Sequence, residues 1–345
     1  MDTVARRKKS WKDLYAAKNG ALVLIRFSGG ECIPDVLPNS GRKKERIENA
    51  LRNYRKQMDN ASWLDDDFVP FLHPKTGTSL FAAAFGCRVH ETEDNMPFAL
   101  PMITTAKEAA KLKVPTLENS RLTEVFEIAD ALRQAEPDGL MKLPDIQSPL
   151  DIAALIWSKE EFFVAMIEEP EAVKELTAMT YELLTEFLDK WFERYGTEFS
   201  AHFPEYYMPY GITLSEDEIG ALSPGQFREF ATDNLNALSD RYGGAIGIHC
   251  CANSKHQWDN FKAVKGLKLL NLSQEQPVLD MAYDFFKDVC VQMHTFNPTR
   301  ARTPGELPDK PRGRVVLTAD AAIREDALEQ LKYLREWGEN YKPNN

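Results

Sequence analysis

The sequence predicts an α/β protein, a single (β/α)8 barrel of the TIM type spanning residues 1–345 with an N-terminal helical extension over residues 1–20. Three observations lead there. Eight short apolar runs recur along the chain, and at least one helical segment follows each of them. Polar residues gather where those runs end, at Arg26, Asp145, Asp217, His249, Cys251, His294 and Asp320, which is where barrels of this type carry their chemistry. No short-period repeat and no low-complexity linker divides the chain. A doubly wound open sheet gives the same alternation of strand and helix, so closure is inferred from the strand count.

In chain order, Trp11, Leu14 and Tyr15 fall at helical spacing in the first twenty residues, and the basic run from Arg6 to Lys9 reads as solvated surface. Ala21 to Phe27 is continuously apolar apart from Arg26 and stops at Ser28-Gly29-Gly30, the pattern of a strand buried on both faces. Arg42 to Asp59 reads as an exposed helix, Phe68 to Leu72 as the second strand, and Gly77 to Gly86 as an apolar helical segment. Residues 103–135 give two polar helices around Val114-Pro115. Leu140 to Ile146 is the third strand, with Pro144 near its end, and a buried helix starts at Pro149. Glu169-Pro170-Glu171 opens a long amphipathic helix that Gly196 stops.

Phe199 to Tyr210 supplies an aromatic-rich fourth strand and loop. Ser223-Pro224-Gly225-Gln226 is a capping box, and its helix ends at Gly243-Gly244. The fifth strand carries His249 and Cys251. Leu267 to Leu272, Val289 to Met293 and Val315 to Thr318 are the last three, with Ala327 to Trp337 closing the chain.

Apolar residues make up 43% and charged residues 28%, ordinary values for a soluble globular chain. With 42 basic and 53 acidic residues the net charge is −11, which argues against a phosphate-backbone binder, so no nucleic acid is expected. No apolar stretch is long enough to span a bilayer, and the basic start lacks an apolar signal core; a cytoplasmic protein with no membrane contact is expected. The five cysteines are odd in number and scattered, as reduced thiols are.

Side chains alternate along a strand, so His249 and Cys251 project together while Cys250 faces the other way. Imidazole nitrogen and thiolate sulfur are the donors zinc prefers. The plainer alternative is a chance pair with core cysteines.

Four stretches carry a wider resemblance: Asp145-Ile146-Gln147-Ser148-Pro149-Leu150-Asp151-Ile152-Ala153, Glu169-Pro170-Glu171-Ala172-Val173, Ser215-Glu216-Asp217-Glu218 running on to Phe230, and His249-Cys250-Cys251-Ala252-Asn253. Taken in order on the strand pattern, from about Phe68 to Trp337, they resemble the uroporphyrinogen decarboxylase superfamily. That resemblance implies the barrel again and two possible chemistries. The tetrapyrrole decarboxylases grip substrate carboxylates with an arginine-rich N-terminal loop, where this chain offers only Arg26. The zinc-dependent corrinoid:thiol methyltransferases carry His-x-Cys on the fifth strand and a further cysteine on the last; His249 and Cys251 match the pair, whereas Ala321 stands near the position of the last ligand.

The resemblance therefore implies a methyltransferase that moves a methyl group from a methylcorrinoid to a zinc-bound thiolate, with a separate corrinoid protein as partner. His294 is the expected third metal ligand, with Asp320 next and a hydrogen-bonded loop histidine as the plainer reading of His294. Asp217 or Glu218 would orient substrate or act as general base, unless the run is simply acid at a helix N-terminus. Arg26, Asp145 and Tyr210 are the expected substrate contacts. If no metal binds, the alternatives are a uroporphyrinogen-type decarboxylase, in which Asp66, Asp67 or Asp145 holds pyrrole N–H groups, and a non-catalytic barrel that binds a corrinoid or thiol.

Overall fold

A run such as Ala21-Leu22-Val23-Leu24-Ile25 presents apolar side chains on both faces, so a strand made of it needs cover on both sides. The computed structural model, which describes residues 3–119, 121–296 and 312–341, supplies that cover with helices around a parallel sheet. Six of its seven strands among the described residues form one path, β1 (Ala21–Phe27), β2 (Ile212–Ser215), β3 (Ile246–Cys250), β4 (Leu267–Gln274), β5 (Val291–Gln292) and β6 (Arg314–Ala321), and the short strand Thr295–Phe296 pairs with β4 off that path. The six lie in the order β1-β6-β5-β4-β3-β2, every neighbour parallel. The result is a mixed α/β fold with a six-stranded parallel path.

The expected closed barrel is not found among the described residues. Phe71–Leu72 and Leu140–Met141, the expected second and third strands, pair with each other in a separate two-stranded sheet. Between β1 and the segment leading into Phe71, carboxylates stand in for most of the ladder. Asp67 N donates to Val23 O at 2.8 Å, but Val23 N and Ile25 N donate to the side chains of Asp67 and Asp66 at 2.9 and 3.0 Å. Pro70 and Pro144 flank the short pair, and neither has an N–H to extend a ladder. The expected fourth strand is instead an antiparallel hairpin, Phe199–Ser200 against Tyr207–Met208, folded about Phe203-Pro204; Ile212–Ser215 is the strand that joins the main sheet. Single parallel bridges, Lys142 to Ser200 and Gln147 to Ser215, connect these pieces.

The first helix, Thr3–Tyr15, corrects another expectation. Spacing of four and three residues puts Arg7, Trp11 and Leu14 on one face, and all three are buried, Arg7 to 1% exposure. Its guanidinium is paired rather than solvated, with only Nε left without a partner: it donates to the carbonyls of Phe68, at 2.7 Å, and Leu64, and lies 3.2 Å from Asp66. Arg6, Lys8 and Lys9 remain at the surface in ion pairs. Among the described residues no helix is long and apolar enough to cross a membrane.

Candidate metal centre

Parallel register decides which side chains meet. His249, near the end of β3, lies opposite Ser215 on β2 and Asn271 on β4, and residues level across a sheet point to the same face. A polar row results inside an otherwise apolar sheet. His202 Nε2 is 2.9 Å from Ser215 Oγ, and His249 Nδ1 is 2.5 Å from Asn271 Oδ1. Asn271, fully buried, donates its amide N–H groups to the Met293 carbonyl and to Thr295 Oγ1.

Those last two bonds fix a tautomer. A carbonyl oxygen accepts only, so the Asn271 nitrogen faces Met293 and its Oδ1 must accept from His249. Nδ1 of His249 therefore carries the proton, and Nε2 keeps its lone pair. Burial lowers the His249 pKa, against smaller opposing effects of the Asp217 charge and the Asn271 bond, so the ring is neutral at pH 7. Phe203 packs edge-on against the ring at 4.8 Å.

Just beyond the strand end, Cys251 N donates to Asp217 Oδ1 at 2.6 Å. Asp217 is brought there by two devices. The buried Asp151 carboxylate accepts from the backbone N–H groups of Asp217 and Glu218 at 2.8 and 3.0 Å, pinning the turn after β2. That turn also presses on the Cys251 loop: a Cβ on Gly220 would lie 2.5 Å from that of Ala252, so only glycine allows the approach. Gln274 holds the other side, donating to the Cys251 and Ala252 carbonyls at 3.1 and 2.8 Å. Below, Glu216 is fully buried; burial and the Asp151 charge push its carboxyl far above the usual range, so it stays protonated.

One ligand atom each from Asp217, His249 and Cys251 lies within 4.8 Å of the others. Oxygen, neutral imidazole nitrogen and sulfur are donors zinc accepts, and three protein ligands leave a position open. The Asn271 acceptor behind the histidine is the outer support such a ligand has. The residues fit the ion. Without a cation, burial and the Asp217 charge push the Cys251 thiol up to about 12.

Residues 76–293, well over half of the chain, match the family described as uroporphyrinogen decarboxylase (URO-D). The chain belongs to this family. Among solved structures, a methyltransferase from Methanosarcina mazei is similar at a TM-score of 0.65 and 14% identity, over 97% of this chain and 98% of that one. At that identity the likeness concerns the fold. No curated protein matches the sequence.

In this URO-D chain the structure brings Asp217 to the His249–Cys251 pair and leaves His294 out. Both His294 nitrogens are engaged, Nδ1 accepting from Leu272 N at 3.1 Å and Nε2 lying 3.0 Å from Gln292 Oε1, and burial pushes its pKa down to about 3. Asp320, the second choice, pairs with Arg26 at 2.8 Å across the β1–β6 register. Arg26 is therefore already matched with a carboxylate. Glu218 is tied to Lys159 at 2.6 Å. Asp145 borders the cluster: burial pushes its carboxyl up to about 6, against Lys142 and with the Asp217 charge. Tyr210 precedes β2 and packs near Gly243, at the opposite end of the strands from His249. Asn271 and Asp151 were missed by sequence reasoning; the Asn in the apolar run Leu269-Leu270-Asn271-Leu272 was the signal for the first.

Proposed function

We propose that this protein is a zinc-dependent corrinoid:thiol methyltransferase of the URO-D family, transferring a methyl group from a methylcorrinoid to a thiol. The observation that carries the reading is the mixed oxygen, nitrogen and sulfur set of Asp217, His249 and Cys251 at the strand ends. The name of the structural neighbour supports the methyl-transfer half. Asp217 takes the place of the cysteine that the sequence lacks at Ala321. The chain works as a single unit on a small thiol, with the corrinoid brought by a separate protein.

Bound there, zinc supplies Lewis acidity that makes a thiol nucleophilic near neutral pH. The chain's own residues do the rest. Asn271 holds the His249 tautomer, Asp151 holds the Asp217 backbone, and Phe203 shields the imidazole face from water. Asp145, raised toward neutrality by burial, would exchange a proton with substrate. The decarboxylase reading is disfavoured by the engagement of Arg26 with Asp320.

The test is turnover. Zinc-loaded protein mixed with methylcobalamin and a panel of small thiols is expected to form thioether, followed by mass spectrometry, and to lose the activity in His249→Ala. No thioether with any thiol, together with carbon dioxide release from a uroporphyrinogen by metal-free protein, would overturn the proposal.

A further inference from the structure

On a chain of net charge −11, a locally basic cavity calls for an explanation. One of about 530 Å³ lies away from the metal centre, between the turn after β1 and the helix Lys43–Trp63. Four cations line it, Arg52, Arg55, Lys56 and Arg324, against two acids, Glu31 and Asp59. Arg52, Arg55, Lys56, Asp59 and Trp63 are spaced by three, one, three and four residues, so one helix face presents them all.

The positive charge is only partly neutralised within the protein. Arg52 pairs with Glu31, and Arg55 reaches Glu136 at 3.4 Å. Lys56 meets carbonyls alone, those of Ser28 at 3.3 Å and Glu31 at 2.8 Å. Arg324 lies over the Trp63 ring, 4.1 Å from its centroid, and pairs with no carboxylate among the described residues. Stacking uses the face of a guanidinium and leaves its N–H edge free for an acceptor.

The backbone adds to this. Gly30 has φ +79° with open space beside its Cα, and a Cβ on Gly29 would sit 2.2 Å from the Ala322 carbonyl. Two glycines are thus required to make the turn, which puts bare backbone at the cavity wall. The N–H groups of Gly29, Gly30 and Glu31 find no protein acceptor among the described residues. Successive backbone N–H groups beside cations are what phosphate oxygens bind.

We infer that this cavity binds a small phosphate-type polyanion, with Lys56 and Arg324 supplying charge that the protein leaves unmatched and the Gly29-Gly30 turn supplying N–H donors. An extended polyanion such as nucleic acid is opposed by the acidic balance of the remaining surface. The inference stands apart from the zinc site.

Calorimetric titration of the full chain with inorganic pyrophosphate tests it. Saturable binding of about one pyrophosphate per chain is expected, weakened about tenfold or more in Arg55→Gln/Lys56→Gln and in Arg324→Gln, each loss corresponding to a charge-assisted hydrogen bond. Lys111→Gln/Lys113→Gln, which removes two cations elsewhere on the surface, is expected to change nothing. Absence of saturable binding, or equal weakening by the Lys111/Lys113 variant, would overturn the inference. Unchanged melting temperatures keep the comparison free of folding effects.

Discussion

His249 Nδ1 lies 2.5 Å from Asn271 Oδ1, and the Asn271 amide is itself oriented by the Met293 carbonyl. A side chain on one strand thereby sets the protonation of a ring on the next, 22 residues earlier. Asn271→Ala is expected to lower zinc affinity about 10–100-fold, as loss of an outer support does. Asn271→Asp keeps the acceptor but sets a second oxygen against the Met293 carbonyl, so it should recover the affinity only in part. Competition with a chromogenic chelator measures both.

Metal uptake should release protons in a diagnostic number. His249 is neutral at pH 7 because burial lowers its pKa, whereas the Cys251 thiol, pushed up to about 12, is protonated. Zinc binding near pH 7.5 should therefore release about one proton per chain. Calorimetry in buffers of different ionisation enthalpy counts it; a value near zero would mean that Cys251 does not bind as thiolate.

Arg7 couples the first helix to the rest of the molecule. Burial pushes Asp66 up to about 6, against the hydrogen bond from Ile25 and the Arg7 charge. Removing Arg7 leaves that carboxyl without its cation, so Arg7→Ala should cost about 3–5 kcal/mol in urea unfolding. A raised folded-state pKa means that the folded form holds the proton more tightly, so stability is lost as pH rises through it. The penalty should accordingly be larger at pH 8 than at pH 5.

Glu198 has the opposite sign. Burial alone would raise it, but hydrogen bonds from Lys12 and Lys8 outweigh that and bring it down to about 2. Its contribution is complete above the ordinary carboxylate range and is lost as pH falls toward 2. In Glu198→Gln the acid limb of a stability-against-pH curve between about 4.5 and 2 should flatten.

Much of this centre was readable in the sequence because strand alternation is local: two residues apart means the same face, and His249 and Cys251 obey it. Asp217 was readable as a polar residue past a strand end, but its place beside Cys251 depends on the pairing of Ser215 with His249 across 34 residues. Register between distant strands leaves no local signature. His294 shows the same difficulty in reverse, since it sits at a strand end yet has both nitrogens committed to hydrogen bonds. Tyr210, an expected substrate contact, lies at the opposite end of β2 from His249, because the strand and loop expected over Phe199–Tyr210 form a hairpin and β2 starts two residues after Tyr210. Arg7 was misread because a long basic side chain is usually solvated; the free carbonyls at the end of the helix Lys43–Trp63 belong to another segment.

Zinc per chain, determined by atomic emission on protein purified without chelator, bears most directly on the centre. About one zinc is expected in the native chain and in His294→Ala, and little or none in Asp217→Ala, His249→Ala or Cys251→Ala. A native chain without zinc, or full retention of it when all three of these residues are replaced, would contradict the assignment.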